Sequence, residues 1–284
     1  MPTTPASEVR IGFVFGPRGL RRWLGRALPT LIAEGVGRQH VETRRFRDEA
    51  EIARFLLGEL NRSFRRARVQ TRVRVGALAR LAADEARPRG PHPGAWLADL
   101  CDGRVATPQG ALPLECWCAQ QEVNCAVVLV DWAMSRTRIE RGNWAGFAAR
   151  EPVHEEGTLR FAPVAIADLR CALTAHSVAH EFGHILGCAH DDTPNLLAPH
   201  ARGFARRGAR FSVMATGRRD ERGRHLEWSR PARHGATWDF GDAEHDEAAW
   251  LRIALPLLAR QRFRCVGECG AACHPDSRYA LSTG

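Results

Sequence analysis

The stretch from Ala175 to Asp192, AHSVAHEFGHILGCAHDD, constrains this 284-residue chain more than any other. His180 and His184 are four residues apart, so on a helix they lie one turn apart on one face and can reach a single metal ion. Glu181 follows the first histidine and can reach water at that ion without ligating it. Gly187 comes three residues after His184, where a helix can end in a left-handed residue and the chain can turn back. That turn delivers His190 as a third ligand. Three neutral imidazoles leave a position for water, the open coordination of a catalytic zinc rather than the closed shell of a structural one. His176, a turn earlier, reads as a surface or supporting residue and Cys188 as a small buried one.

The run from His180 to Asp191, H-E-x-G-H-x-x-G-x-x-H-D, resembles the zinc signature of the metzincin metalloproteases. Asp191, directly after the third histidine, resembles the reprolysin-like (adamalysin-like) branch. Phe211-Ser212-Val213-Met214-Ala215, downstream, is similar to the family's Met-containing turn. Glu227-Trp228-Ser229-Arg230-Pro231 is similar to its aromatic-Ser-Asn-Pro element, with Arg230 in place of Asn. Some metzincin branches carry a Tyr soon after the Met turn; the single Tyr here is Tyr279, which agrees with the reprolysin-like branch. The resemblance spans roughly residues 8–264 and is strongest over 180–231.

It implies an α/β (α+β) fold: a metzincin-type zincin catalytic domain, with a twisted mixed sheet, an active-site helix and a smaller irregular C-terminal subdomain. The implied activity is a zinc-dependent endopeptidase acting on a protein or peptide substrate. His180, His184 and His190 would hold Zn²⁺ and Glu181 would be the general base. Asp191 would fix the ligand turn by hydrogen bonds, Met214 would pack beneath the metal, and Ser229 and Pro231 would wall a substrate pocket. Gly142-Asn143-Trp144-Ala145-Gly146 would form a turn before the edge strand, and substrate would lie extended along that edge near Leu159–Ile166. Two other functions use the same residues: a zinc hydrolase of non-peptide amides, and a proteolytically silent binding protein. The second would ordinarily have lost Glu181 or a ligand.

Hydrophobic periodicity organises the rest. Val9–Gly16 predicts a buried strand, Leu20–Glu34 an Arg-studded helix, and Asp48–Arg66 a second helix. Val69–Leu78 alternates as a half-buried strand, 84–95 is a Pro/Gly-rich loop, and Asn124–Trp132 carries a central-strand run. Leu159–Ile166 predicts another strand, a long helix starts near Ala172, and a last one spans Glu244–Arg262. This is one domain over 1–264, with subdomains of about 8–190 and 191–264, followed by a Cys-containing tail at 265–284.

Composition excludes several classes. Apolar residues at 44% and charged ones at 26% describe a globular chain. No apolar run reaches membrane-spanning length. All 41 basic side chains are Arg, and the +9 net charge sits at the two ends: 19 Arg against 9 acids over 1–90, 7 against 13 over 91–200, and 15 against 10 beyond. Without an aromatic-interleaved basic ribbon this argues against nucleic acid. Genome bias and selection against Lys modification both explain the missing Lys. Arg202–Arg224 flank the presumed pocket, either as a solvated loop or as a selector of acidic substrates. Cys101, Cys116, Cys118 and Cys125 can tie loops together, and Cys265, Cys269 and Cys273 read as disulfide or thiols rather than zinc ligands. No signal peptide or propeptide is visible, and the first cysteine is Cys101, so a secreted or exported monomer would leave by a non-Sec route or have lost its start.

Overall fold

The computed structural model describes residues 8–16, 20–35, 38–82, 104–107, 110–131, 146–148, 152–155, 158–206, 210–216, 225–231, 241–242 and 244–263. The chain is a mixed α/β structure. β1 (Glu8–Phe15) pairs in parallel with β4 (Arg72–Leu81) on one side and β7 (Cys125–Val130) on the other. β11 (Val164–Asp168) adds in parallel to β7. Antiparallel strands close both ends: β5 (Arg104–Thr107) and β6 (Gly110–Pro113) beyond β4, and β8 (Gly146–Ala148) beyond β11. The seven-stranded order is β6-β5-β4-β1-β7-β11-β8.

β7 and β11 are buried along their whole length because both sheet faces are covered there. In β7, Cys125, Val127 and Leu129 enter the larger core while Ala126, Val128 and Val130 enter the smaller one. α1 (Glu49–Arg66) packs on the larger side through Ile52, Leu56, Leu60 and Phe64, and Asp48 caps it by accepting from Glu51 N at 2.8 Å. α3 (Leu169–Thr174), α4 (Ser177–Ile185) and α5 (Glu247–Arg260) join the same core. α2 (Leu114–Gln120) fills the opposite face with Trp117. Among the described residues no helix is long and apolar enough to cross a membrane.

Several expectations change. Residues 20–34 are not a helix: after a turn, β2 (Leu28–Gly35) and β3 (Arg38–Arg44) form a hairpin. Pro29 is incompatible with a helix interior, and the hairpin buries Thr30, Leu31 and Ile32 beside α3. The long helix from Ala172 is two helices, broken where His176 takes a left-handed conformation at φ +53°. The strand over 159–166 is also two, β10 (Thr158–Arg160), paired with β9 (Val153–Glu155), and β11, parted at Phe161–Pro163. β11 lies inside the sheet, so the edge near α4 is β8. The 84–95 loop, Cys101 and the tail 265–284 fall outside the described residues. Cys116 is disulfide-bonded, while Cys125 and Cys188 are free, buried thiols.

Candidate metal centre

α4 ends in a closed turn. Gly187, at φ +83°, donates to His184 O at 2.9 Å, and Cys188 N reaches back to Gly183 O at 2.9 Å, the paired bonds of a Schellman C-cap. A side chain at 187 would be strained by that φ and would meet Pro152 at 2.7 Å. The turn places the Cys188 carbonyl where His184 Nδ1 donates to it at 2.9 Å. On the other histidine of the helix, Nδ1 donates to Val213 O at 2.7 Å. A carbonyl only accepts, so both rings carry hydrogen on Nδ1 and present Nε2 as a lone-pair donor to a metal.

Those Nε2 atoms converge with that of His190: His180 to His190 is 3.1 Å and His184 to His190 is 2.9 Å. Three imidazole nitrogens about 2.0–2.1 Å from a tetrahedral zinc are separated by roughly 3.3 Å, close to this spacing. Clustered lone pairs repel, and a cation between them removes the repulsion. The three-histidine group therefore has the donor chemistry to hold a metal ion. His180 and His184 are buried and His190 is half-buried.

Glu181, the residue after the first ligand, is buried at 3% exposure. Its side chain lies beneath edge strand β8: a Cβ on Gly146 would sit 2.5 Å from Glu181 Cγ and 2.6 Å from its Oε1. Glycine at 146 is what leaves room for this carboxylate. Below the helix, the Met214 side chain fills the space against Gly183. Asp191 Oδ1 accepts from Thr216 N at 2.9 Å and Thr216 Oγ1 at 3.1 Å, linking the ligand turn to the segment after Met214. His176 is buried and lies 3.4 Å from Gln39 Oε1 through its Nε2.

The two suggested pocket residues are placed differently. Ser229 is fully buried, its hydroxyl donating to Arg202 O at 2.8 Å and accepting from Glu247 N at 3.0 Å. Pro231 is exposed. Of the Arg residues in this run, Arg207, Arg218, Arg219, Arg222 and Arg224 lie outside the described residues.

Several site-supporting residues escaped sequence reasoning. Asn195 donates to Gly187 O at 2.8 Å and Ala201 O at 3.1 Å, and accepts from Leu197 N at 3.1 Å and Ala198 N at 3.0 Å. Arg66, near the end of α1, pairs with buried Glu227 at 3.0 Å, and Val213 N donates to Glu227 O at 2.8 Å. Glu247 is wholly buried, and burial pushes its carboxyl up to about 8 against the opposing help of Ser229 and Ser212. The Cys188 thiol is pushed well up by burial and by the nearby Glu247 charge, which makes it unreactive. A signal for Glu247 was present: it occupies the apolar stripe of α5, in step with Leu251, Ala254 and Leu258.

No protein-family model and no curated protein matches the chain. A chain in a solved structure of a chaperone-substrate complex superposes with a TM-score of 0.56 at 11% identity, over 90% of this chain and 35% of that one. This chain thus spans about a third of its neighbour's length. At that identity the likeness is one of fold, and it agrees with the mixed α/β architecture.

Proposed function

We propose that the protein is a zinc-dependent endopeptidase of the metzincin type, nearest the reprolysin-like branch. The observation that carries this is the convergence of three imidazole Nε2 atoms, two of them aimed by backbone carbonyls, with Glu181 on the next helix position. His180, His184 and His190 would hold Zn²⁺. When bound, such an ion acidifies water and stabilises negative charge developing on a carbonyl oxygen.

The chain's own residues supply the rest. Glu181 takes the proton of the attacking water on its carboxylate and returns it to the leaving amine. Its burial under Gly146 restricts its rotamers and holds it for both transfers. Among the described residues β8 is the terminal strand of the sheet on this side, so a substrate peptide can add to it in extended form by main-chain hydrogen bonds. A buried base beside the terminal strand of the described sheet favours a peptide over a compact amide.

Peptide-library profiling of the zinc-loaded protein beside Glu181→Ala tests this reading. Wild type is expected to cleave, a chelator to abolish cleavage, and Glu181→Ala to lose at least about a hundredfold in turnover with zinc retained. A folded, zinc-replete protein that cleaves no peptide would contradict it.

A further inference from the structure

The two helix histidines are aimed from different distances along the chain. The Cys188 carbonyl that fixes His184 is four residues away and is set by the C-cap turn of α4 itself. The Val213 carbonyl that fixes His180 lies 33 residues downstream, so its place depends on what holds Val213. Both backbone groups of Val213 are engaged. Its oxygen accepts from His180 Nδ1 at 2.7 Å, and its N–H donates to Glu227 O at 2.8 Å.

Glu227 is in turn tied to the last turn of α1. Its Oε1 accepts from Arg66 Nη1 at 3.0 Å, and Arg66 Nη2 donates to Ala33 O at 2.7 Å. One guanidinium thus joins α1, β2 and the segment carrying Glu227. The next residue, Trp228, donates from Nε1 to Ser63 Oγ at 2.9 Å and stacks on Phe64 with ring centroids 5.6 Å apart. A Cβ at Gly183, on α4 beside His184, would meet Cζ3 of that indole at 3.2 Å.

An ion pair whose side chains are 12% and 5% exposed has lost most of its hydration, and an apolar pair would fill the space at less cost. Trp228 already supplies apolar contact. What the charged pair adds is direction: a forked donor on a rigid helix holds the Glu227 side chain, and with it the Glu227 carbonyl, against sliding.

We propose that Arg66 and Glu227 are positioning residues for the metal centre. The pair fixes the Glu227 carbonyl, that carbonyl fixes Val213, and Val213 holds His180 with Nε2 toward the other two histidines. The inference rests on the metal-centre reading.

The test titrates metal-free wild type, Arg66→Gln, Glu227→Gln and Arg252→Ala with Zn²⁺ against a chromophoric chelator, and with Co²⁺ by its visible absorption. Thermal unfolding of each apo protein runs alongside. Arg252 donates from α5 to Ala67 O at 2.9 Å, so its loss loosens the same end of α1 and leaves the Arg66–Glu227 pair in place. Wild type that binds neither ion removes the metal centre itself, and this proposal with it. If wild type binds, each Gln variant is expected to bind zinc about tenfold more weakly and to show an altered cobalt spectrum. Arg252→Ala is expected to lower apo Tm and to bind zinc as wild type does. Gln variants with lowered apo Tm but unchanged zinc affinity and cobalt spectrum overturn the proposal, as does an equal loss of affinity in Arg252→Ala. Should neither Gln variant fold, Arg66→Lys decides: it keeps a cation beside the buried carboxylate, but a single ammonium lacks the fork that reaches Glu227 and Ala33 together. Weakened binding with an altered spectrum in that variant supports the pair, and binding like wild type overturns it.

Discussion

The sheet and the chain after α4 satisfy their buried backbones by different means. In β7 the flanking strands β1 and β11 run alongside in parallel register, and side chains are left free to be apolar on both faces. After Leu186 the described strands shrink to two-residue ribbons at Ala205–Arg206 and Arg210–Phe211. Here single polar side chains do what a ladder does elsewhere. Asn195 alone serves four backbone groups, Asp191 holds Thr216, and Ser229 and Glu247 hold each other's backbone. In the first region a residue matters through volume, and in the second through geometry. The three-histidine group sits where they meet, with two of its residues on a helix of the core and the third on the polar-braced loop.

Substitutions in the two regions should therefore fail differently. Phe13→Ala, in the middle of β1 at 0% exposure, is expected to cost about 3–5 kcal/mol of unfolding free energy by urea titration. The folded fraction should bind zinc as wild type does. A comparable loss of metal affinity would erase the distinction.

Glu247 makes the polar region sensitive to pH. Its folded value of about 8 lies above its ordinary 4.5, so between these values the folded state binds more protons than the unfolded. Stability should accordingly fall as pH rises from about 4.5 to 8, by roughly a few kcal/mol, and then level off. Glu247→Gln should flatten that slope in unfolding measured across pH. An unchanged slope would mean that the carboxyl is not held neutral.

Asn195→Ala removes two donors and one shared acceptor from a buried turn, and is expected to cost roughly 2–3 kcal/mol. Unlike Phe13→Ala, it should also weaken zinc binding, because Gly187 O is one of the freed carbonyls. Asp191→Ala should have the smallest effect on stability, about 1 kcal/mol, with a measurable loss of metal affinity. If both variants changed stability alone, geometry would not be what the loop supplies.

The same division governs what could be read from the residues in order. β1, α1, β7 and α5 follow from periodicity, because apolar burial leaves its period in the sequence. The spacing of His180, Glu181, His184, Gly187 and His190 is equally local, since helix pitch and a C-cap fix it. Residues 20–34 misled because Arg21, Arg22 and Arg26 among apolar residues imitate a helix face; Pro29 was the contrary sign. The break at His176 leaves no helix-breaking residue to read, being a left-handed non-glycine φ. Partnerships such as Trp228 Nε1 with Ser63 Oγ, 165 residues apart at 2.9 Å, have no local trace. That Ser229 faces inward to Arg202 and Glu247 is information of the same long-range kind.

Metal stoichiometry and affinity, measured on wild type and on His190→Ala by competition with a chromophoric chelator, decide whether the three histidines form one zinc site. Wild type is expected to hold one zinc tightly per chain, and His190→Ala to lose at least about a hundredfold in affinity with the fold intact. Wild type without stoichiometric zinc, or His190→Ala binding as wild type does, would contradict it.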